Sequence, residues 1–239
     1  MEIQIFPGQE ELNHATAEIF FIAAREAIFH RNKFSVAFCG GITSTGLYEV
    51  LATSPYKEQV SCKDVHVFWT DEQWVFHNDL RNNAKMAFDL LLDHVPVPPQ
   101  QICRISGELE PLDSAMQYEW ILQEFFANEP PGLDLIYLNQ EERGQTASLP
   151  PGSEVFAEEK HWVNADCHSE QKFFRIAISA PFISYARKIV CLIFGSEKAF
   201  VVKKLLAGNN FPKLPAELIA PKRGELIKLI DEKAASENY

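Results

Sequence analysis

Positive charge is in short supply in this sequence. Among 239 residues, 22 Lys and Arg stand against 33 Asp and Glu, a formal net charge of -11. Nucleic acid and anionic membranes both require basic surfaces, so neither is an expected partner. A small phosphorylated ligand is not excluded, because it needs only a local cluster of donors. No run of about eighteen apolar residues occurs, which excludes a transmembrane helix. The opening stretch, MEIQIFPGQEEL, lacks the basic-then-apolar layout of a signal peptide, and the expectation is a cytoplasmic protein. Cysteine is sparse and odd in number: Cys39, Cys62, Cys103, Cys167 and Cys191, none in a C-x-x-C pair. That argues against a disulfide frame and against a zinc site. Repeats, low-complexity tracts and linkers are also missing. The length suits one sizeable core, with residues 1–239 as a single domain.

What is present is an alternation of apolar strands and helices. Glu2–Phe6, Phe34–Phe38, Val65–Trp69, Leu135–Leu138, 161–165, 174–179 and 189–194 read as strands. Between them, 9–30, a segment from about Thr45, 83–94, 111–128, 196–207 and 224–235 read as helices. Such alternation predicts an α/β protein, a modified doubly wound, mostly parallel sheet with helices on both faces.

Three loops at predicted strand ends carry chemistry. In Phe34–Tyr48, FSVAFCGGITSTGLY, the Gly40-Gly41 pair lets backbone approach a ligand, and the helix that follows offers its N-terminus to an anion. A tight turn that needs glycine for packing explains the pair equally well. In Val67–Asn83, VFWTDEQWVFHNDLRNN, Asp71 and Glu72 are adjacent carboxylates suited to acid/base work or to capping the next helix. Asp71 is read as lining a site; for Glu72 the two readings are even. In Leu133–Ser153, LDLIYLNQEERGQTASLPPGS, a buried strand empties into a polar loop, where open α/β sheets place ligands.

Taken together these stretches resemble the 6-phosphogluconolactonase family, within the glucosamine-6-phosphate isomerase superfamily. Gly144 and Thr146 to Leu149 follow the second half of G-x-G-x-D-G-H-T-A-S-L-F-P-G. Gly40, Gly41 and Thr43 follow L-S-G-G-S-T-P, and Asp71, Glu72, Val75 and Asn83 follow F-W-x-D-E-R-x-V with its later S-N. Arg175 and Lys198, in FRIAISAPFI and GSEKAFVVKKLL, fall on the family's basic positions. The departures cluster. Asn139 and Glu141 replace the early glycines, Arg143 replaces the Asp, Gln145 replaces the catalytic His, and Gln73 replaces a ligand-binding Arg.

The resemblance implies a cofactor-free and metal-free ester hydrolysis, and no histidine pair here has metal-ligand spacing. A His takes a proton from water, the hydroxide attacks the lactone carbonyl, and the ring oxygen leaves protonated. Gln145 has no pKa near neutrality and cannot do this. His77, on the loop after Asp71-Glu72, is the best-placed substitute base, although a solvent-facing loop residue is the plainer reading. The expected ligand is a small phosphorylated sugar acid or lactone, held by Gly40, Gly41, Thr43, Gln73, Gly144, Arg175 and Lys198. Three functions follow: 6-phosphogluconolactone hydrolysis, weak or lost; a non-catalytic binding or assembly homologue; or a different phosphosugar, with Arg143 supplying the charge that Gln73 lacks. The chain is a monomer or a homo-oligomer, which the sequence leaves open.

Overall fold

All five residues of β2 (Phe34–Phe38) are buried, and so are Leu135 to Leu138 of β5 (Leu135–Asn139). Strands this apolar must be covered on both sides, as parallel strands are. The computed structural model bears this out, and it describes residues 2–140, 146, 160–168, 173–207 and 219–236. With β1 (Glu2–Phe6), β3 (Val65–Trp69), β8 (Lys188–Ile193) and β9 (Glu225–Asp231), they form a six-stranded sheet in the order β1-β9-β8-β5-β2-β3. Every pairing in it is parallel.

The register shows how both faces are covered. Helix α1 (Gln9–Arg31) brings Phe20 against Phe34 and Phe38. Phe68 of β3 pairs with Ala37, not with Phe38, so it points to the other face. There it meets Phe125 of helix α5 (Pro111–Phe125). Tyr118 of α5 ties the helix to β3 by accepting from Trp69 N at 2.8 Å and donating to Trp69 O at 2.9 Å. Helix α2 (Ile42–Leu51) follows β2 directly, and its Tyr48 meets Phe38 edge-on. Two single turns, α3 (Tyr56–Gln59) and α4 (Asn83–Ala87), precede α5.

A second sheet stands beside the first. It is antiparallel, in the order β4 (Asp71–Gln73), β7 (Phe173–Ile178), β6 (Val163–His168). Thr70 is where the chain changes sheets: its N–H bonds Phe38 O at 2.8 Å, while its carbonyl accepts from Ile178 N at 2.9 Å. The segments near 161–165 and 174–179, read in sequence as members of one mostly parallel sheet, belong to this smaller one. Short apolar runs carry no mark of which sheet they join.

The largest correction concerns 224–235. It is not one helix but strand β9 followed by the turn α8 (Glu232–Ala235). Leu226, Ile227, Leu229 and Ile230 fit a helical stripe as well as a buried strand, and periodicity alone cannot separate the two over so short a run. Smaller shifts occur elsewhere. The helix after β2 starts at Ile42, not near Thr45. The helix at Asn83 ends at Ala87 and continues as a wider turn through Leu92. Helix α5 stops at Phe125. After β7 and the turn α6 (Ala180–Ile183), a 3₁₀ turn at Ser196–Lys198 precedes α7 (Ala199–Ala207).

Among the described residues, Cys39, Cys62, Cys103 and Cys191 are free thiols. No described helix is long and apolar enough to cross a membrane.

Candidate functional site

Because the six strands are parallel, the loops leaving β8, β5, β2 and β3 emerge at one edge, in that spatial order. They carry Lys198, Asn139, Gly40-Gly41 and Thr70 to Gln73. Gly41 has φ +84, a conformation that disfavours a side chain. Gly40 is needed for a different reason: a Cβ there would run into the Asn83 side chain. That same side chain donates from Nδ2 to Asp71 O at 2.9 Å. Asn83 therefore locks the glycine turn against the start of the small sheet. The first turn of α2 is exposed at Ile42, 77% accessible, and its Ser44 N–H is taken by Gly41 O at 3.0 Å.

Cys39, where the family has Ser, is no nucleophile. It is buried with Sγ 3.2 Å from Ser44 Oγ, and burial pushes its thiol up to about 12.

The small sheet sorts the acidic pair. Gln73 lies opposite Arg175, and Asp71 opposite Ala177, so Asp71, Gln73 and Arg175 share one face. Asp71 Oδ2 is 3.5 Å from Arg175 Nη1, and Asp71 Oδ1 accepts from Thr70 Oγ1 at 2.9 Å. Asp166 of β6 lies opposite Arg175 on the other side, a neighbour that the sequence did not disclose. In register, Arg175 thus lies between Gln73 and Asp166, with Asp71 on the diagonal.

Glu72 turns the other way and is a cap. Its Oε1 accepts from Gln73 N at 2.9 Å and Asn83 N at 2.8 Å, and its Oε2 from Ala84 N at 2.9 Å. Burial pushes its pKa up to about 8, against the pull of those three donors. Glu72→Gln replaces one acceptor oxygen by a donor that faces a backbone N–H. It is expected to cost about 1–3 kcal/mol in urea unfolding. The folded pKa lies above the unfolded value, so the proton-linked stability from Glu72 is full at acid pH and is lost as pH rises toward about 8. Gln cannot titrate, so the gap between wild type and variant is expected to narrow between about pH 5 and about pH 8. A gap that widens would contradict this.

The remaining candidates are placed as follows. Thr43 lies half-buried in the first turn of α2. Lys198 is half-exposed at the end of the 3₁₀ turn after β8. That turn is fixed by Gly195, with φ +96, whose N–H bonds Asp231 Oδ1 at 3.0 Å. His77 has its Nδ1 3.3 Å from Asn82 Oδ1, and its ring packs edge-on against Phe88. Arg143, Gly144 and Gln145 lie outside the described residues. The ends of their loop are described. Asn139 Nδ2 donates to Gly40 O at 2.7 Å, and Thr146 Oγ1 donates to Asn139 O at 2.8 Å. A Cβ on Gly41 would stand 2.8 Å from Asn139 Nδ2. The residue in place of the family's first glycine therefore fills the space beside the Gly40-Gly41 turn. Among the described residues, no group of His, Cys, Asp and Glu could hold a metal ion.

A parallel sheet with its polar loops gathered at one end, beside a small antiparallel sheet, defines a modified doubly wound α/β protein. The chain belongs to the family of glucosamine-6-phosphate isomerases/6-phosphogluconolactonase, whose family model matches residues 7–228. "6-phosphogluconolactonase" of Haemophilus influenzae is 35% identical over 202 residues, covering 83% of this chain and 85% of that protein. "Probable 6-phosphogluconolactonase 3, chloroplastic" of Oryza sativa subsp. indica is 32% identical over 244 residues, covering 97% of this chain and 74% of that protein. The solved "Crystal Structure of devB protein" superposes with a TM-score of 0.90 at 27% identity, covering 100% of this chain and 99% of the other. A 6-phosphogluconolactonase from Trypanosoma brucei, at 22% identity and a TM-score of 0.85, covers 100% of this chain and 98% of the other, and shares the fold.

Proposed function

We propose that this chain keeps the family's phosphosugar site and retains little or none of its 6-phosphogluconolactone hydrolysis. The observation that carries the reading is the placement of Arg175, held by Asp71 and facing Gln73 across the strands. A guanidinium fixed in this way grips a phosphate in its own plane. The Gly40-Gly41 turn lets backbone approach the ligand, and Lys198 adds a second cation from the β8 loop. Asp71 orients the guanidinium, as its ion pair with Arg175 supports. Gln145 stands where a base must accept a proton from water, and an amide cannot accept it. The ligand is a small phosphorylated sugar acid or lactone, met in the cytoplasm without nucleic acid or membrane partners, in keeping with the net charge of -11. One domain, 1–239, carries this site.

Calorimetry with 6-phosphogluconate tests the binding half. Weak, saturable heat is expected, and Arg175→Met should abolish it. Gln73→Arg should tighten binding about tenfold, since a charge-assisted contact is worth roughly 1.5–3 kcal/mol. Asp71 and Asp166 stand ready to offset the added charge. No heat at millimolar ligand would instead leave the scaffold as a non-catalytic assembly protein.

A further inference from the structure

At the other end of the sheet, three chain segments lead into neighbouring strands. Gly132 to Asp134 enters β5, Arg187 enters β8, and Arg223-Gly224 enters β9. They surround a cavity of about 430 Å³ lined by Pro130, Pro131, Tyr185, Arg187, Lys222 and Arg223, with Gly132 and Ala186. Its size suits a small metabolite.

The segments are held by backbone bonds: Arg187 N to Leu133 O at 2.9 Å, Lys222 N to Ser184 O at 2.7 Å, and Glu225 N to Arg187 O at 2.9 Å. Gly132, with φ +147, and Gly224 permit the close approach. A Cβ on the first would meet Tyr185 O, and one on the second would meet Ala186 O and Arg187 O.

Charge is what sets this cavity apart. In a chain of net charge -11, its wall carries three cations and no carboxylate. Arg187 Nε reaches Asp134 Oδ1 at 3.3 Å, but the same oxygen already takes Arg31 Nη2 at 2.7 Å. One carboxylate thus answers two guanidiniums. Asp134 is further engaged by Ser35 N and Ser35 Oγ, each at 2.9 Å, so it is anchored to β2. Lys222 Nζ lies 4.1 Å from the centre of the Tyr185 ring, and neither Lys222 nor Arg223 pairs with a carboxylate among the described residues. The nearby Glu225 is spoken for by Lys188 Nζ at 3.1 Å.

We propose that this cavity is a second anion site, which takes a small ligand bearing a phosphate ester or pyrophosphate group. An excess of two or more positive charges matches a multiply charged phosphate better than a single carboxylate. The planar guanidiniums of Arg187 and Arg223 suit its oxygens, and Pro130 and Pro131 offer an apolar wall to the body of the ligand. The site lies at the N-terminal ends of the strands, at the opposite end of the parallel sheet from Gly40-Gly41.

Calorimetry with inorganic pyrophosphate at about 0.15 M salt tests this, because non-specific surface attraction is screened there. Because the site around Arg175 also offers cations to pyrophosphate, the full chain carrying Arg175→Met and Lys198→Met is titrated as well. It is expected to keep a saturable site. Adding Lys222→Glu and Arg223→Glu, both exposed, should weaken that site at least about tenfold. Lys222→Gln with Arg223→Gln repeats the test should the charge reversals disturb folding, which circular dichroism reports. Binding that disappears with Arg175→Met and Lys198→Met, or that survives both changes at 222 and 223, would overturn the proposal. So would tighter binding of an acidic peptide than of pyrophosphate.

Discussion

Arg143→Asp together with Gln145→His is expected to raise 6-phosphogluconolactone hydrolysis by about 10²–10⁴-fold over wild type, the usual worth of a positioned general base. Neither change alone should achieve much. An imidazole at 145 beside Arg143 faces a cation that disfavours its protonated form and lowers its pKa, which makes it a poorer proton acceptor. An aspartate at 143 without the imidazole has nothing to orient. The two act as a unit, so the double variant should exceed the combined effect of the singles. The ends of the loop support this repair. Asn139 is bonded to Gly40 O, and Thr146 Oγ1 bonds Asn139 O. Steady-state rates for all four proteins, corrected for spontaneous hydrolysis, check the prediction. Equal activity in the Gln145→His single and the double would show that Arg143 does not control the base.

Phe38→Ala should produce the largest loss of stability. Phe38 is 1% exposed and lies between two nearly parallel rings, Phe20 at 6.3 Å and Tyr137 at 6.2 Å, with Tyr48 edge-on at 5.0 Å. Truncation opens a cavity between α1, α2 and the centre of the sheet, and none of these rings can swing in without leaving its own contacts. The expected cost is about 3–5 kcal/mol in urea unfolding. Phe38 also accepts Thr70 N through its carbonyl and immediately precedes Cys39-Gly40. Phosphosugar binding should therefore weaken along with stability, and a loss under about 1 kcal/mol would show that the core there collapses freely.

The sequence disclosed those parts of this protein that are fixed by local pattern. Strands β2, β3 and β5 are short, mainly apolar runs, and α1 carries a helical stripe, so their presence could be read directly. The strand β9 could not, because Leu226 to Ile230 satisfies both periods, and only its place between β1 and β8 decides. The antiparallel sheet was hidden for a related reason. Asp71 to Gln73 is too short and too polar to look like a strand, and pairing with β7 makes it one. The site shows the same division. Gly40, Gly41, Asp71, Gln73 and Arg175 were marked by motif register. Asp166 was not, because its position opposite Arg175 depends on a cross-strand register that spacing along the chain does not encode. Asn83 was visible as a motif match, but its bond to Asp71 O and its contact at Gly40 needed coordinates. Glu72 is the instructive case: one residue from Asp71 and of the same charge, it faces away, since neighbours on a strand point to opposite sides.

The central claim is that the phosphosugar scaffold persists here without its general base. The most direct measurement is the rate of 6-phosphogluconolactone hydrolysis by the wild-type chain and by Gln145→Ala, each against the spontaneous rate. The account predicts that wild type stays near the spontaneous rate and that Gln145→Ala is indistinguishable from it. High wild-type activity that survives Gln145→Ala would contradict the account and move the search for a base to His77 or Asp71.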